Sequence, residues 1–122
     1  MTLSYLDFDY SEDAQGSGSF DAMASALPAQ LPALQAEVAR VLDWAHRDFA
    51  GVRGPLDEGG DWDYELQGVQ EASTTLQVRY DLEAGQIQTQ RGNAESLRAT
   101  LSLTISGTPA FCQAFRDAFE LA

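Results

Sequence analysis

Hydrophobic positions along this chain recur with two periods, and the switches between them mark out its elements. Residues 4–10 alternate. Leu6, Phe8 and Tyr10 point one way, while Tyr5, Asp7 and Asp9 point the other, the pattern of a half-buried strand. A polar, glycine-bearing turn spans residues 11–18. A second alternating run follows, with Phe20, Ala22, Ala24 and Ala26 inward and Asp21, Met23 and Ser25 outward. Together these predict a β-hairpin with an acidic tip.

The period then changes. Pro28 and Pro32 flag a helix start, because proline is tolerated only in the first turn. Leu31, Leu34, Val38, Val41, Leu42, Ala45 and Phe49 recur at spacings of three and four, a single apolar stripe centred on Val38. A glycine-rich loop with Pro55 covers residues 50–60.

Alternation returns at Asp61, with Trp62, Tyr64 and Leu66 on one face and Asp61, Asp63 and Glu65 on the other. Gly68 is the expected place for a bulge before the strand continues toward Ala72. Leu76, Val78, Tyr80 and Leu82 predict a further strand, turned by Glu83, Ala84 and Gly85 into a short one around Ile87 and Thr89. Residues 91–96 read as loop. Leu97, Ala99, Leu101, Leu103 and Ile105 show the strictest alternation in the chain, and Thr108-Pro109 opens a capped helix with Phe111, Cys112, Ala114, Phe115, Ala118 and Phe119 on its apolar side.

The order ββ-α-ββββ-α predicts an α+β fold: an antiparallel sheet of five or six strands with both helices on one face. At 122 residues the chain fits a single domain, residues 1–122, long enough for a core without metal or disulfide staples. Cys112 is the only cysteine, so no internal disulfide forms and no cysteine-based zinc site is expected. Residues 1–10 lack the basic and continuous apolar regions of a signal peptide, and no apolar run spans a bilayer. The expectation is a cytoplasmic protein with no cofactor. All seven basic residues are arginine, which together with the alanine content reads as GC-rich bacterial coding.

Charge sharpens the picture. Residues 1–65 hold thirteen carboxylates against three arginines, a net −10, and residues 66–122 hold six against four, a net −2, for −12 overall. Such a field repels nucleic acid and anionic membrane and attracts basic partners or cations. The densest stretch, residues 54–65, puts Asp57, Glu58, Asp61, Asp63 and Glu65 within nine positions. Hard cations need oxygen ligands that converge, whereas a straight strand spreads its carboxylates about 7 Å apart, so metal binding by Asp57, Glu58, Asp61 and Asp63 requires the loop to fold back. The spacing is not that of an EF-hand. Trp44 lies about 120° from the helical stripe centre, an outward position that makes it a candidate hot spot. His46, at the stripe's edge, has no cysteine or nucleophilic serine near it in sequence. Phosphate loops, paired-histidine zinc motifs and nucleophile elbows are absent from the sequence.

Two readings from different classes follow. The first is a small acidic binding protein that engages a basic protein partner through Trp44, Asp61, Asp63, Glu65, Asp7 and Asp9, with aromatic residues interleaved among the acids as anchors. In size and charge the chain is similar to bacterial immunity proteins and DNA-mimic inhibitors, a likeness of composition without a shared motif. The alternative is a small metal-dependent hydrolase or cation-binding protein built on Asp57, Glu58, Asp61 and Asp63. Homo-oligomerisation through an uncovered sheet face or an edge strand is a third reading.

Overall fold

A computed structural model describes residues 1–121, with backbone alone at residues 73, 75 and 93–96. Four strands and two helices follow the predicted α+β order: β1 (Asp9–Glu12), β2 (Gly18–Ala26), α1 (Leu31–Asp48), β3 (Trp62–Asp81), β4 (Gln86–Gly107) and α2 (Pro109–Phe119). A short 3₁₀ turn, Leu56–Glu58, interrupts the loop before β3. All pairings in the sheet are antiparallel, and its strand order is β1-β2-β4-β3.

The four strand segments expected after α1 are present, fused into two. Residues 91–96, expected to be loop, continue β4, and the segments on either side of residue 75 continue β3. The seam survives as a register irregularity between Thr74 and Leu76. It lies in the outer part of the hairpin, which runs on as a two-stranded ribbon beyond Ala99, the last β4 residue paired with β2. Gly68 stays in register opposite Leu101, and a Cβ there would come within 3.2 Å of the Leu101 side chain, so this glycine makes room and does not bulge. Gly85, at positive φ, closes the turn by donating to the Asp81 carbonyl at 2.9 Å.

Both helices lie on one face of the proximal sheet. Phe20, Ala22, Ala24 and Ala26 of β2 are buried there, alternating with Asp21, Met23 and Ser25 outside, as the period-two pattern predicts. The small alanines let α1 approach closely with Leu34, Val38 and Val41. Thr108 caps α2 through its hydroxyl, which accepts the Phe111 N–H, and Pro109 occupies the first turn. The core is densely aromatic: Trp62 stacks on Phe111 at 5.6 Å and 3°, and Phe111 leads on to Phe115 and Phe119.

Trp44 belongs to this core and not to an outward-facing surface of α1. It is 5% exposed and sits 5.5–5.8 Å from the rings of Phe119, Phe115 and Phe111. The sequence stripe accounts for the sheet alone. Because α2 packs against Trp44 and the N-terminal segment against Glu37, the buried arc takes in both and is turned by roughly 60° from the stripe centre, at 100° per residue.

The N-terminal segment holds a second departure. Leu6 is buried and Phe8 and Tyr10 face inward, as the alternation predicts, yet the strand begins only at Asp9. Ahead of it, the backbone N–H groups of Ser4, Tyr5 and Leu6 are bonded by the carboxylate of Glu37 and not by a ladder. A side chain on α1 replaces the neighbouring strand. Among the described residues, no helix is long and apolar enough to cross a membrane.

Candidate functional site: the helix-free face of the sheet

With the helices on one side, the other side of the four-stranded sheet is open. Strand register decides what stands there. Asp9 pairs with Asp21, Asp21 with Thr104, and Thr104 with Glu65, so three carboxylates and one hydroxyl form a single row across all four strands. Adjacent strands lie about 4.8 Å apart, which makes the row roughly 14 Å wide. The next row reads Ser11, Ser19, Ser106 and Asp63. In the other direction Met23 pairs with Ser102, and Ser102 with Gln67.

Sequence-distant acids thus meet. Asp7 and Asp9 from the N-terminal segment and Asp63 and Glu65 from β3 arrive at opposite edges of one face, and Asp21 from β2 joins them at the centre. The Thr104 hydroxyl donates to Asp21 Oδ1 at 2.7 Å and fixes that carboxylate in place. Asp7, Asp9, Asp21, Met23, Ser102 and Thr104 line an open depression of about 520 Å³. A smaller one, about 270 Å³, adjoins it between Asp63, Glu65, Thr104 and Ser106. Met23, in the middle of the acidic field, is 71% exposed.

The acids expected to act with these residues are placed differently. Asp63 accepts from Arg53 Nε at 3.0 Å, and the same guanidinium lies 4.5 Å from the centre of the Tyr64 ring, so part of its charge is already matched. Asp61 precedes the strand, and its backbone ties two loops together: its N–H donates to Val52, and its carbonyl accepts from Thr108. Asp57 and Glu58 belong to the 3₁₀ turn. Among the described residues, no three His, Cys, Asp or Glu side chains gather closely enough to hold a metal ion. The loop does not fold its carboxylates back over the strand, which is what a cation site at Asp57, Glu58, Asp61 and Asp63 requires.

All but one of the aromatic residues expected to anchor a partner point inward. Trp62 is fully buried, with its indole N–H donating to the Phe49 carbonyl at 3.3 Å, and Tyr64 packs beside it. Arg116 lies 3.9 Å over the Tyr10 ring. Of Tyr5, Tyr10, Trp44, Trp62 and Tyr64, the aromatics interleaved with the acids, Tyr5 alone is exposed. Apolar contact on this face therefore comes from Met23 and, further along, Val69.

His46 also has a structural position. Its Nδ1 is 2.8 Å from the Leu42 carbonyl near the end of α1, and its ring meets Trp62 edge-on at 4.9 Å. Cys112 is buried, its thiol donating to the Gly107 carbonyl at 3.4 Å, and burial pushes the thiol pKa up. The buried Cys112 thiol is not placed for nucleophilic chemistry.

Sequence reasoning missed Asp21 and Thr104 as site residues and Glu37 as a structural one. The alternation put Asp21 and Met23 outward, but only the register reveals that Asp21 lies opposite Asp9. Comparison with protein-family models, with curated proteins and with solved structures gives no match for this chain.

Proposed function

We propose that this protein is an acidic interaction module that presents the helix-free face of its sheet to a basic surface on a partner protein. The row of Asp9, Asp21, Thr104 and Glu65 carries the reading. Like charges directly opposite on neighbouring strands weaken a sheet, so folding gains nothing from placing Asp9 against Asp21. A partner that brings arginine or lysine to the row relieves that repulsion. The row's width of roughly 14 Å suits a basic helix or strand laid across the sheet. Long-range attraction speeds encounter and makes it salt-sensitive, while Met23, unbranched and adaptable, supplies apolar contact at the centre.

The test is affinity capture with wild-type protein and with the double charge reversal Asp9→Arg/Glu65→Arg, both checked for folding by circular dichroism. A basic protein retained by wild type, released at high salt and absent from the variant's eluate is the expected result. Capture that survives both the charge reversal and the salt overturns the electrostatic account.

A further inference from the structure

We propose that the apolar face of the distal β3–β4 ribbon is a self-association surface, occupied by the same ribbon of a second copy of this chain packed antiparallel about a two-fold axis. The inference is independent of the acidic face. β2 pairs with β4 only as far as Ala99, opposite Ala26, so from about residue 71 to residue 98 the chain continues as two strands without a third neighbour. Eleven residues of extended strand reach roughly 35 Å beyond the sheet.

This arm is sharply two-faced. In register, Tyr80 lies opposite Ile87, Val78 opposite Thr89 and Leu76 opposite Arg91, which puts the apolar side chains on one face. The other face carries Gln77, Arg79, Asp81, Gln86, Gln88 and Gln90, with Arg79 donating to Gln88 at 2.8 Å and Gln88 to Asp81 at 3.2 Å. The polar face is internally bonded and suited to water. The apolar face is not covered: Leu76, Val78, Tyr80 and Ile87 are each 59–62% exposed. A two-stranded ribbon is marginal alone in water, and three or more strands or a packed face are needed to hold it.

Area and charge together identify the occupant. Leu76, Val78, Tyr80 and Ile87, with Leu82 at the turn, present on the order of 600 Å², approaching the ~800 Å² per partner of a standard interface. Residues 71–98 carry three arginines against four carboxylates, a net −1, so −11 of the chain's −12 resides elsewhere. Two copies can meet arm to arm without bringing their acidic sheets together. A basic partner finds no comparable attraction on the arm. Antiparallel overlap places the tip of one arm, with Glu83, beside the Leu76–Arg91 row of the other, and the two-fold repeats that pairing of opposite charges.

The experiment is sedimentation velocity on the full chain from low to high micromolar concentration, compared with Val78→Thr/Ile87→Thr. Both substitutions keep β-branching at exposed positions. A wild-type dimer, with the dissociation constant raised at least ten-fold in a variant of unchanged circular dichroism, is expected. Wild type that stays monomeric throughout overturns the proposal and leaves the face to a different protein. A dimer that persists in the variant overturns it too, since its interface then lies elsewhere. Hydrogen exchange on wild type needs no variant: amides of residues 76–91 exchange more slowly as concentration rises, and exchange independent of concentration contradicts the proposal.

Discussion

Glu37 and Leu6 stand 31 residues apart in the chain, and the carboxylate of the first accepts the backbone N–H of the second at 2.8 Å. The same carboxylate also accepts from Tyr5 at 2.8 Å and from Ser4. A buried charge is tolerable when its acceptor sites are filled, and here three backbone donors fill them. Glu37→Ala leaves those donors without a partner, so urea denaturation shows a loss of about 1–3 kcal/mol. Amides of residues 4–6 lose their hydrogen-exchange protection in the same variant.

Gly107 is fixed by the ring beside it. It stands opposite Trp62 in the sheet, and a Cβ at this position would lie 2.3 Å from Phe111 Cδ1. The ring is stacked on Trp62 and cannot yield without disturbing the aromatic core. Gly107→Ala therefore destabilises the fold by about 1–3 kcal/mol, the usual range for overpacking. Thermal unfolding checks it, and a neutral result removes the stack as a constraint.

The Cys112 thiol makes stability fall in alkali. Burial raises its pKa above the ordinary value of 9.0, so the native state keeps a proton that the unfolded chain releases. The stabilising contribution is whole below pH 9 and is lost as pH rises through the folded value. Tyr10, raised chiefly by its hydrogen bond to Glu12, adds a similar loss above pH 10. Unfolding free energies at pH 8 and pH 10 therefore differ less in Cys112→Ala than in wild type. Native protein at pH 8 resists thiol reagents until it is unfolded.

Asp9 is expected to oppose folding slightly, because it faces Asp21 across the strand pair. Asp9→Asn raises stability by about 0.2–1 kcal/mol at low ionic strength, with a smaller gain at high salt. Asp21 is less suited to this test, since it also accepts from Thr104. A loss of stability in Asp9→Asn at low salt contradicts the like-charge account of the row.

The two periods in the sequence carried most of the fold. Strictly alternating Leu97–Ile105 falls within β4 and the capped Pro109–Phe119 helix stands as read, with Leu103, Ile105, Phe111, Phe115 and Phe119 turned into the core. Reading broke down where an element has two neighbours or an unusual one. Trp44 looked outward because one stripe describes one contact, and α1 makes two. Residues 4–8 alternate as a strand does, but Glu37 takes their N–H groups. Polar residues 91–96 resemble a loop, while β4 runs through them, with Arg91, Glu95 and Ser96 paired to β3 on either side of the irregularity. In the site, Asp7, Asp9, Asp63 and Glu65 were legible as outward acids. Their meeting with Asp21 and Thr104 depends on strand order β1-β2-β4-β3, a long-range fact without a local signal.

The most direct test of the acidic face is a titration of ¹⁵N-labelled protein with an arginine-rich peptide, followed by amide chemical shifts. The account predicts saturable shifts concentrated at Asp9, Asp21, Met23, Glu65 and Thr104, weakened by salt and by Asp9→Arg/Glu65→Arg. Shifts scattered evenly over all acidic segments, or centred on the Asp57–Asp61 loop, would contradict it.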